Sequence, residues 1–144
     1  MTISFVRSGL TALACVAGLA LASPAMAATV NLKADLKAAS EVPPTDSKGA
    51  GSVTATFDTA SKKLAWKGTV SGLTGPATAA HFHAGEVGKN GGVVIPITGA
   101  DKGSFEGSAT LTDAQAADLM GGKWYVNVHT AANKGGEVRG QVTK

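Results

Sequence analysis

The stretch VTATFDTASKKLAWKGTV, residues 53–70, decides the fold class. Apolar side chains occupy alternate positions on both sides of its centre, with Val53 and Phe57 before it and Leu64 and Trp66 after it. A two-residue period of this kind is typical of β-strands that bury one face. The polar segment 58–62 separates the two runs and predicts a turn. The stretch therefore predicts a β-hairpin with one apolar face.

Similar short runs recur along the chain between turn-forming residues. They predict six further strands, at residues 30–37, 78–84, 93–98, 104–110, 123–130 and 137–143. Thr112 and Gln115 have the spacing of a capping box, which predicts a short helix that Gly121 ends in the left-handed conformation. Eight short strands with this spacing favour an all-β sandwich or barrel.

The first 27 residues have the pattern of a secretory signal peptide. Arg7 precedes an almost unbroken apolar run at residues 9–21, and Ala25-Met26-Ala27 matches a cleavage site. The apolar run is too short to span a membrane, and no later segment is apolar enough to do so. We therefore expect residues 28–144 to form one periplasmic or secreted domain.

Composition argues against several classes of function. The chain has 13 Lys and Arg against 10 Asp and Glu, and its lysines are scattered, so no nucleic-acid surface is expected. The only cysteine, Cys15, falls in the predicted signal peptide, so neither a disulfide nor a catalytic thiol is expected. No serine lies in a nucleophile-elbow motif and no carboxylate pair stands out, so no catalytic residue is predicted.

The three histidines of the chain lie in two predicted strands. His81 and His83 flank one residue, so they share a strand face with Cα atoms roughly 6.5 Å apart. His129 would complete a three-histidine set if its strand is a neighbour, and such a set suits copper or zinc. The alternative is that all three are polar residues on a solvated face with no common role.

Two side chains are placed to orient these ligands. Tyr125 and Asn127 lie on the same face of their strand as His129, and ligand histidines need a hydrogen-bond partner for their second ring nitrogen. Glu86 follows the His81–His83 pair closely and could reach a metal, but a solvated loop carboxylate is the better interpretation. In the same loop, Asn90-Gly91 predicts left-handed turn geometry.

A charged pair stands near the end of the chain. Glu137 and Arg139 are two residues apart on a predicted strand, so they share a face. Arg139 is the only arginine outside the predicted signal peptide, which hints at use of its forked guanidinium. The spacing predicts a structural ion pair between these two side chains.

Six blocks of the sequence form one ordered series. They are Glu41-Val42-Pro43-Pro44, Ala80-His81-Phe82-His83, Asn90-Gly91, Leu111-Thr112, residues 122–130 and residues 136–141. Taken together, they resemble the CHRD domain, a family common among exported bacterial proteins. The resemblance covers nearly all of residues 28–144. It implies an immunoglobulin-like antiparallel β-sandwich in an extracytoplasmic protein, and it implies no particular reaction.

Three hypotheses about function remain open at this point. The first is an exported domain that binds copper or zinc through His81, His83 and His129 for metal storage, delivery or protection. The second is a structural or interaction module that binds another exported protein or a glycan, with incidental histidines. The third is a metalloenzyme, because three protein ligands leave one coordination position open.

Overall fold

The computed structural model of the protein describes residues 26–144, and almost all of the predicted signal peptide lies outside that range. The described part contains eight β-strands and one α-helix, as the sequence predicts. The strands are β1 (Thr29–Lys37), β2 (Ala50–Asp58), β3 (Lys63–Ser71), β4 (Ala77–Ala84), β5 (Val93–Ile97), β6 (Ser104–Thr110), β7 (Trp124–Thr130) and β8 (Val138–Gln141), and the helix is α1 (Asp113–Met120). Single 3₁₀ turns occupy Ala38–Ser40 and Ala100–Lys102.

The predicted hairpin is confirmed as β2 and β3. The strands are antiparallel, and Phe57 lies opposite Leu64. The turn between them is held by the carboxylate of Asp58, which accepts hydrogen bonds from the backbone N–H groups of Ala60 and Ser61. Lys62 adopts a positive φ of 56°, so the chain reverses before β3 begins.

All eight strands belong to one antiparallel sheet, in the order β5-β4-β7-β8-β1-β2-β3-β6. The all-β class is confirmed, but the strands do not separate into the two sheets of an immunoglobulin-like sandwich. The short strand β8 is the reason, because it pairs with β7 along its length and with β1 through Arg139 and Lys37. A bridge between Lys33 and Thr143 extends this connection. The sheet curls on itself and is nearly a closed barrel.

The core lies inside this curled sheet. Trp66 on β3 packs edge-on against Phe82 on β4, with ring centroids 5.2 Å apart, although the two strands are far apart in the sheet order. Phe82 also packs against Trp124 on β7. Trp66 and Phe82 are buried as predicted, with 7% and 1% of their surfaces exposed. Gly107 on β6 leaves room for the indole, because a β-carbon there would lie 2.6 Å from a ring carbon of Trp66.

The helix begins as the sequence predicts, but the left-handed residue after it is Gly122 rather than Gly121. The Thr112 hydroxyl accepts a hydrogen bond from the Gln115 backbone, and the Gln115 side chain accepts one from the Thr112 backbone. Gly121 has a φ of −79°, whereas Gly122 has the left-handed φ of 71°. The N–H groups of Gly121 and Gly122 donate to the carbonyls of Ala117 and Leu119, respectively. No helix in residues 26–144 is long and apolar enough to cross a membrane.

Candidate metal centre

The fold brings the three histidines together. β4 and β7 are adjacent antiparallel strands, and in their register Ala79 lies opposite His129 and His81 lies opposite Asn127. Each histidine contributes one ring nitrogen to a group whose members all lie within 4.8 Å of one another. The closest pair is His81 Nδ1 and His129 Nε2, at 3.1 Å. The prediction that these two segments are neighbours and that the imidazoles converge is confirmed.

Backbone carbonyls fix the tautomers of two of the histidines. His83 Nδ1 lies 2.9 Å from the carbonyl oxygen of Gly91, and His129 Nδ1 lies 2.9 Å from that of Lys134. Because a carbonyl oxygen only accepts, each of these Nδ1 atoms must carry the hydrogen. In a neutral imidazole the other nitrogen, Nε2, then carries the lone pair. On His129 that lone pair accepts a hydrogen bond from His81 Nδ1, whereas His83 Nε2 has no hydrogen-bond partner among the described residues. His83 and His129 therefore both present Nε2, rather than Nδ1, as the nitrogen that could accept an ion.

His83 Nε2 and His81 Nδ1 have different surroundings. His83 Nε2 is buried and has no hydrogen-bond partner within residues 26–144. His81 has no carbonyl partner in that part of the chain, and its Nδ1 faces His129 Nε2 instead. Among the described residues, His81 is thus the one histidine of the three whose ring is not oriented by a backbone carbonyl.

The surroundings favour the neutral forms of His81 and His83. Burial lowers the pKa of His81, and the nearby His129 and His83 lower it further. Burial also lowers the pKa of His83, and this outweighs the opposing effect of its hydrogen bond to Gly91. Neutral imidazoles offer lone pairs, which metal binding requires.

An aromatic and cationic stack supports His83. The Tyr125 ring is nearly parallel to the His83 ring, with centroids 4.8 Å apart and 7° between the planes. The guanidinium carbon of Arg139 lies 3.4 Å from the centroid of the same tyrosine ring. The Tyr125 hydroxyl accepts a hydrogen bond from the Gly91 N–H at 3.2 Å. Tyr125 therefore contacts both His83 and the residue that orients it.

Residues 32–142 match the family model of the CHRD domain, which is most of the chain. The protein belongs to the CHRD domain family. Comparisons with curated proteins and with solved structures found no match.

The expected ion pair between Glu137 and Arg139 is wrong for this CHRD domain. Arg139 Nη1 donates to the side-chain oxygen of Asn90, and Nη2 donates to the carbonyls of Lys89 and Glu86. Glu137 instead accepts hydrogen bonds from the side chains of four residues, which are Ser47, Thr74, Thr130 and Asn133. The one salt bridge found in residues 26–144 joins Lys62 and Asp113. Both predicted partners are satisfied by loops rather than by each other.

The hydrogen bonds to Glu137 are strong enough to overcome its burial. Its side chain is fully buried, and burial alone would raise the pKa of the carboxyl. The hydroxyls of Ser47, Thr130 and Thr74 and the Thr74 N–H outweigh that effect and lower the pKa to about 2. Glu137 is consequently an ionised carboxylate inside the protein at neutral pH.

In the loop after β4 the turn prediction is wrong, whereas Glu86 is exposed, as expected of a solvated carboxylate. Glu86 takes part through its backbone carbonyl, which accepts from Arg139, and its carboxylate is not among the converging ligand groups. Asn90 and Gly91 do not supply the left-handed turn, which lies at Gly88 with a φ of 74°. Gly91 is instead required by close packing, since a β-carbon there would overlap the Ala84 carbonyl oxygen.

Sequence reasoning missed Glu41 as a residue beside the centre. Glu41 is buried. A β-carbon on Gly136 would lie 2.8 Å from the Asn127 amide nitrogen and even closer to Glu41 Oε1, so the two side chains meet beside Gly136. Burial raises the pKa of Glu41, against the opposing effects of Val42, Arg139 and Asn127. Glu41 belongs to the Glu-Val-Pro-Pro block of the family resemblance, and that position was the available sign of its importance. Asn127 itself is buried between Glu41 and the histidines.

Proposed function

We propose that this CHRD domain binds one copper or zinc ion through His81, His83 and His129. The observation that carries the proposal is the convergence of three ring nitrogens within 4.8 Å, two of them on imidazoles fixed by carbonyls. Nitrogen ligands on a tetrahedral ion with bonds of about 2.0–2.1 Å lie about 3.3 Å apart. The 3.1 Å separation of His81 Nδ1 and His129 Nε2 is already close to that value.

The donor set supports copper slightly more than zinc. All three donors are imidazole nitrogens, which suit both ions, and copper(II) binds more tightly than the other divalent first-row metals to a given site. The predicted signal peptide supports a periplasmic or secreted role, so storage, delivery or protection in that compartment is the proposed context.

The proposal is tested by titrating the purified domain with Cu²⁺ and with Zn²⁺. We expect one equivalent per chain and a higher melting temperature, because an ion bound only by the native state stabilises it. Replacing any one of the three histidines by alanine should weaken binding by more than the roughly 10–100-fold loss expected for an orienting partner. Glu86→Gln is the matched control, since its carboxylate lies outside the cluster and its affinity should equal the parent's.

Binding should depend on pH in a defined direction. Protons compete with the metal for imidazole, and the folded-state pKa values of His81 and His83 lie below the ordinary 6.5. Affinity should therefore be retained from neutral pH down to about 6.5 and fall below it. If His129→Ala binds metal as tightly as the parent, the shared site is wrong and the interaction-module hypothesis takes its place.

A further inference from the structure

We infer that Glu137 and Arg139 are positioning residues, each of which fixes the ring tautomer of one histidine through one loop. The inference rests on the proposed metal site and deepens it. Its observational basis is that the two carbonyls that hold His83 and His129 belong to two different loops, and each loop is anchored by one of these two residues. The loop between β4 and β5 (residues 85–92) is here termed the first loop, and that between β7 and β8 (residues 131–137) the second loop.

Arg139 anchors the first loop. Its Nη2 donates to the Lys89 carbonyl at 2.7 Å, and its Nη1 donates to the Asn90 side chain at 3.1 Å. Asn90 also donates to the Val42 carbonyl at 2.8 Å, so its side chain is held from two directions. The next residue is Gly91, whose carbonyl faces His83 Nδ1. Because Arg139 is 98% buried and its fork is rigid, it limits the movement of this carbonyl.

Glu137 anchors the second loop. Its carboxylate accepts from the Asn133 amide at 3.1 Å and from the hydroxyl of Thr130. The Thr130 hydroxyl in turn accepts from the Asn133 backbone N–H at 3.2 Å. Lys134 follows Asn133 directly, and its carbonyl faces His129 Nδ1. The buried carboxylate thus holds the residue that precedes the orienting carbonyl.

The two anchors act on different ligands. Arg139 acts on His83 through the first loop, and Glu137 acts on His129 through the second loop. Both assignments leave the lone pair on Nε2. On His129 it accepts a hydrogen bond from His81 Nδ1 that an ion would replace. His81 has no carbonyl partner among the described residues, so its ring can adjust. Hydrogen-bonded partners behind metal-binding histidines fix the ring and raise its basicity. The result is a site with two oriented ligands and one adjustable ligand.

The test measures tautomers in the metal-free protein by ¹H–¹⁵N correlation spectra of the imidazole nitrogens at about pH 8, where histidines are neutral. Asn90→Ala and Asn133→Ala each remove one anchor contact while keeping the buried charges. We expect Asn90→Ala to shift the tautomer population of His83 alone, and Asn133→Ala to shift that of His129 alone. Asp113→Asn, which removes a remote exposed ion pair, is the control and should change neither.

Metal affinity provides the second measurement. Each of the two variants should lose about 10–100-fold in Cu²⁺ or Zn²⁺ affinity, and the control should lose none. Arg139→Lys should repeat the effect of Asn90→Ala, because a single ammonium cannot reproduce the fork. Glu137→Gln should repeat that of Asn133→Ala.

A shift of only one histidine in each variant distinguishes positioning from general destabilisation. If both variants shift both histidines together, or if neither variant shifts its own histidine, the inference is overturned. If each variant shifts only its own histidine but the parent protein binds neither ion, the proposed function alone is overturned, since the tautomers are measured without metal.

Discussion

The two halves of the sheet use their outward faces differently. In β1, β2, β3 and β6, termed here the hairpin half, buried and exposed residues alternate, so that Val53, Ala55 and Phe57 are buried while the residues between them face solvent. In β4, β5, β7 and β8, termed here the histidine half, the outward residues Tyr125, Asn127 and Arg139 are also almost fully buried. Loops cover that face, and most of the side-chain polar groups beneath them are hydrogen-bonded. The exceptions among the described residues are Glu41 Oε1, His83 Nε2 and Asn127 Oδ1.

The two outward faces differ in how many buried polar groups they contain. A strand with one solvent-exposed face needs polar side chains on that face only for solubility. Its outward residues therefore have few specific partners. A strand covered on both faces must satisfy each buried polar group, because an unpaired one is costly. The carbonyls, the guanidinium and the carboxylate around the histidines meet that requirement. The outward face of the hairpin half is therefore mainly solvated, whereas that of the histidine half carries the candidate metal centre.

The largest expected effects concern the inward faces, which should be equally important in both halves. Trp66→Ala in the hairpin half and Trp124→Ala in the histidine half should each lower the free energy of unfolding by about 3–5 kcal/mol, since both rings are buried. Lys67→Ala, beside Trp66 on the exposed face, should change it by less than about 0.5 kcal/mol. Urea denaturation measures all three. An unchanged midpoint for either tryptophan variant would contradict the assignment of its face.

The next effect is acid destabilisation through Glu137. The pKa of Glu137 is about 2 in the folded protein and about 4.3 in an unfolded chain, so the unfolded state binds more protons between these values. Its contribution to stability is therefore complete above about pH 4.3 and is lost as the pH falls towards 2. Thermal melts of the parent and of Glu137→Gln should converge over that window.

A matched carboxylate in the hairpin half provides the control for this comparison. Hydrogen bonds from Ser61 also lower the pKa of Asp58, but that side chain is in an exposed turn. Asp58→Asn should alter the acid dependence less than Glu137→Gln does. An equal change in the two variants would mean that burial of the Glu137 carboxylate adds nothing to the acid dependence of stability.

The smallest effect compares two outward-facing asparagines. Asn127→Ala in the histidine half should cost about 1–3 kcal/mol of stability, because it removes a buried amide that stabilises the ionised form of the Glu41 carboxyl. Asn31→Ala on the exposed face of β1 should cost less than about 0.5 kcal/mol. Chemical denaturation of both variants measures the difference. Equal costs would remove the distinction between the two outward faces.

Local patterns predicted the strands, the helix and the shared face of His81 and His83 well. Alternation places Trp66 and Phe82 in the core, and the Thr112–Gln115 box opens the helix. The spacing of His81 and His83 fixes their shared face, because a strand has a period of two. These features depend on residues close together in the chain, which is why the sequence reveals them.

The partners of Glu137 and Arg139 could not be predicted in the same way. Their spacing favours a pair, yet the Glu137 carboxylate is held by Ser47, which is 90 residues away, and Arg139 binds Asn90, which is 49 residues away. Competing donors and acceptors from distant loops satisfy both charges more completely than one ion pair would. Local spacing contains no information about those loops.

The sequence by itself determined an all-β domain with eight strands, one capped helix and three histidines on two strands, because period-two alternation and capping act between near neighbours. Only the tertiary structure decided that β8 joins the strands into a single sheet and that Gly91 and Lys134 present their carbonyls to His83 and His129. Strand order and backbone hydrogen bonds between loops depend on which distant segments meet. A backbone carbonyl is the same chemical group at every residue, so side-chain identity does not mark the two that orient the site.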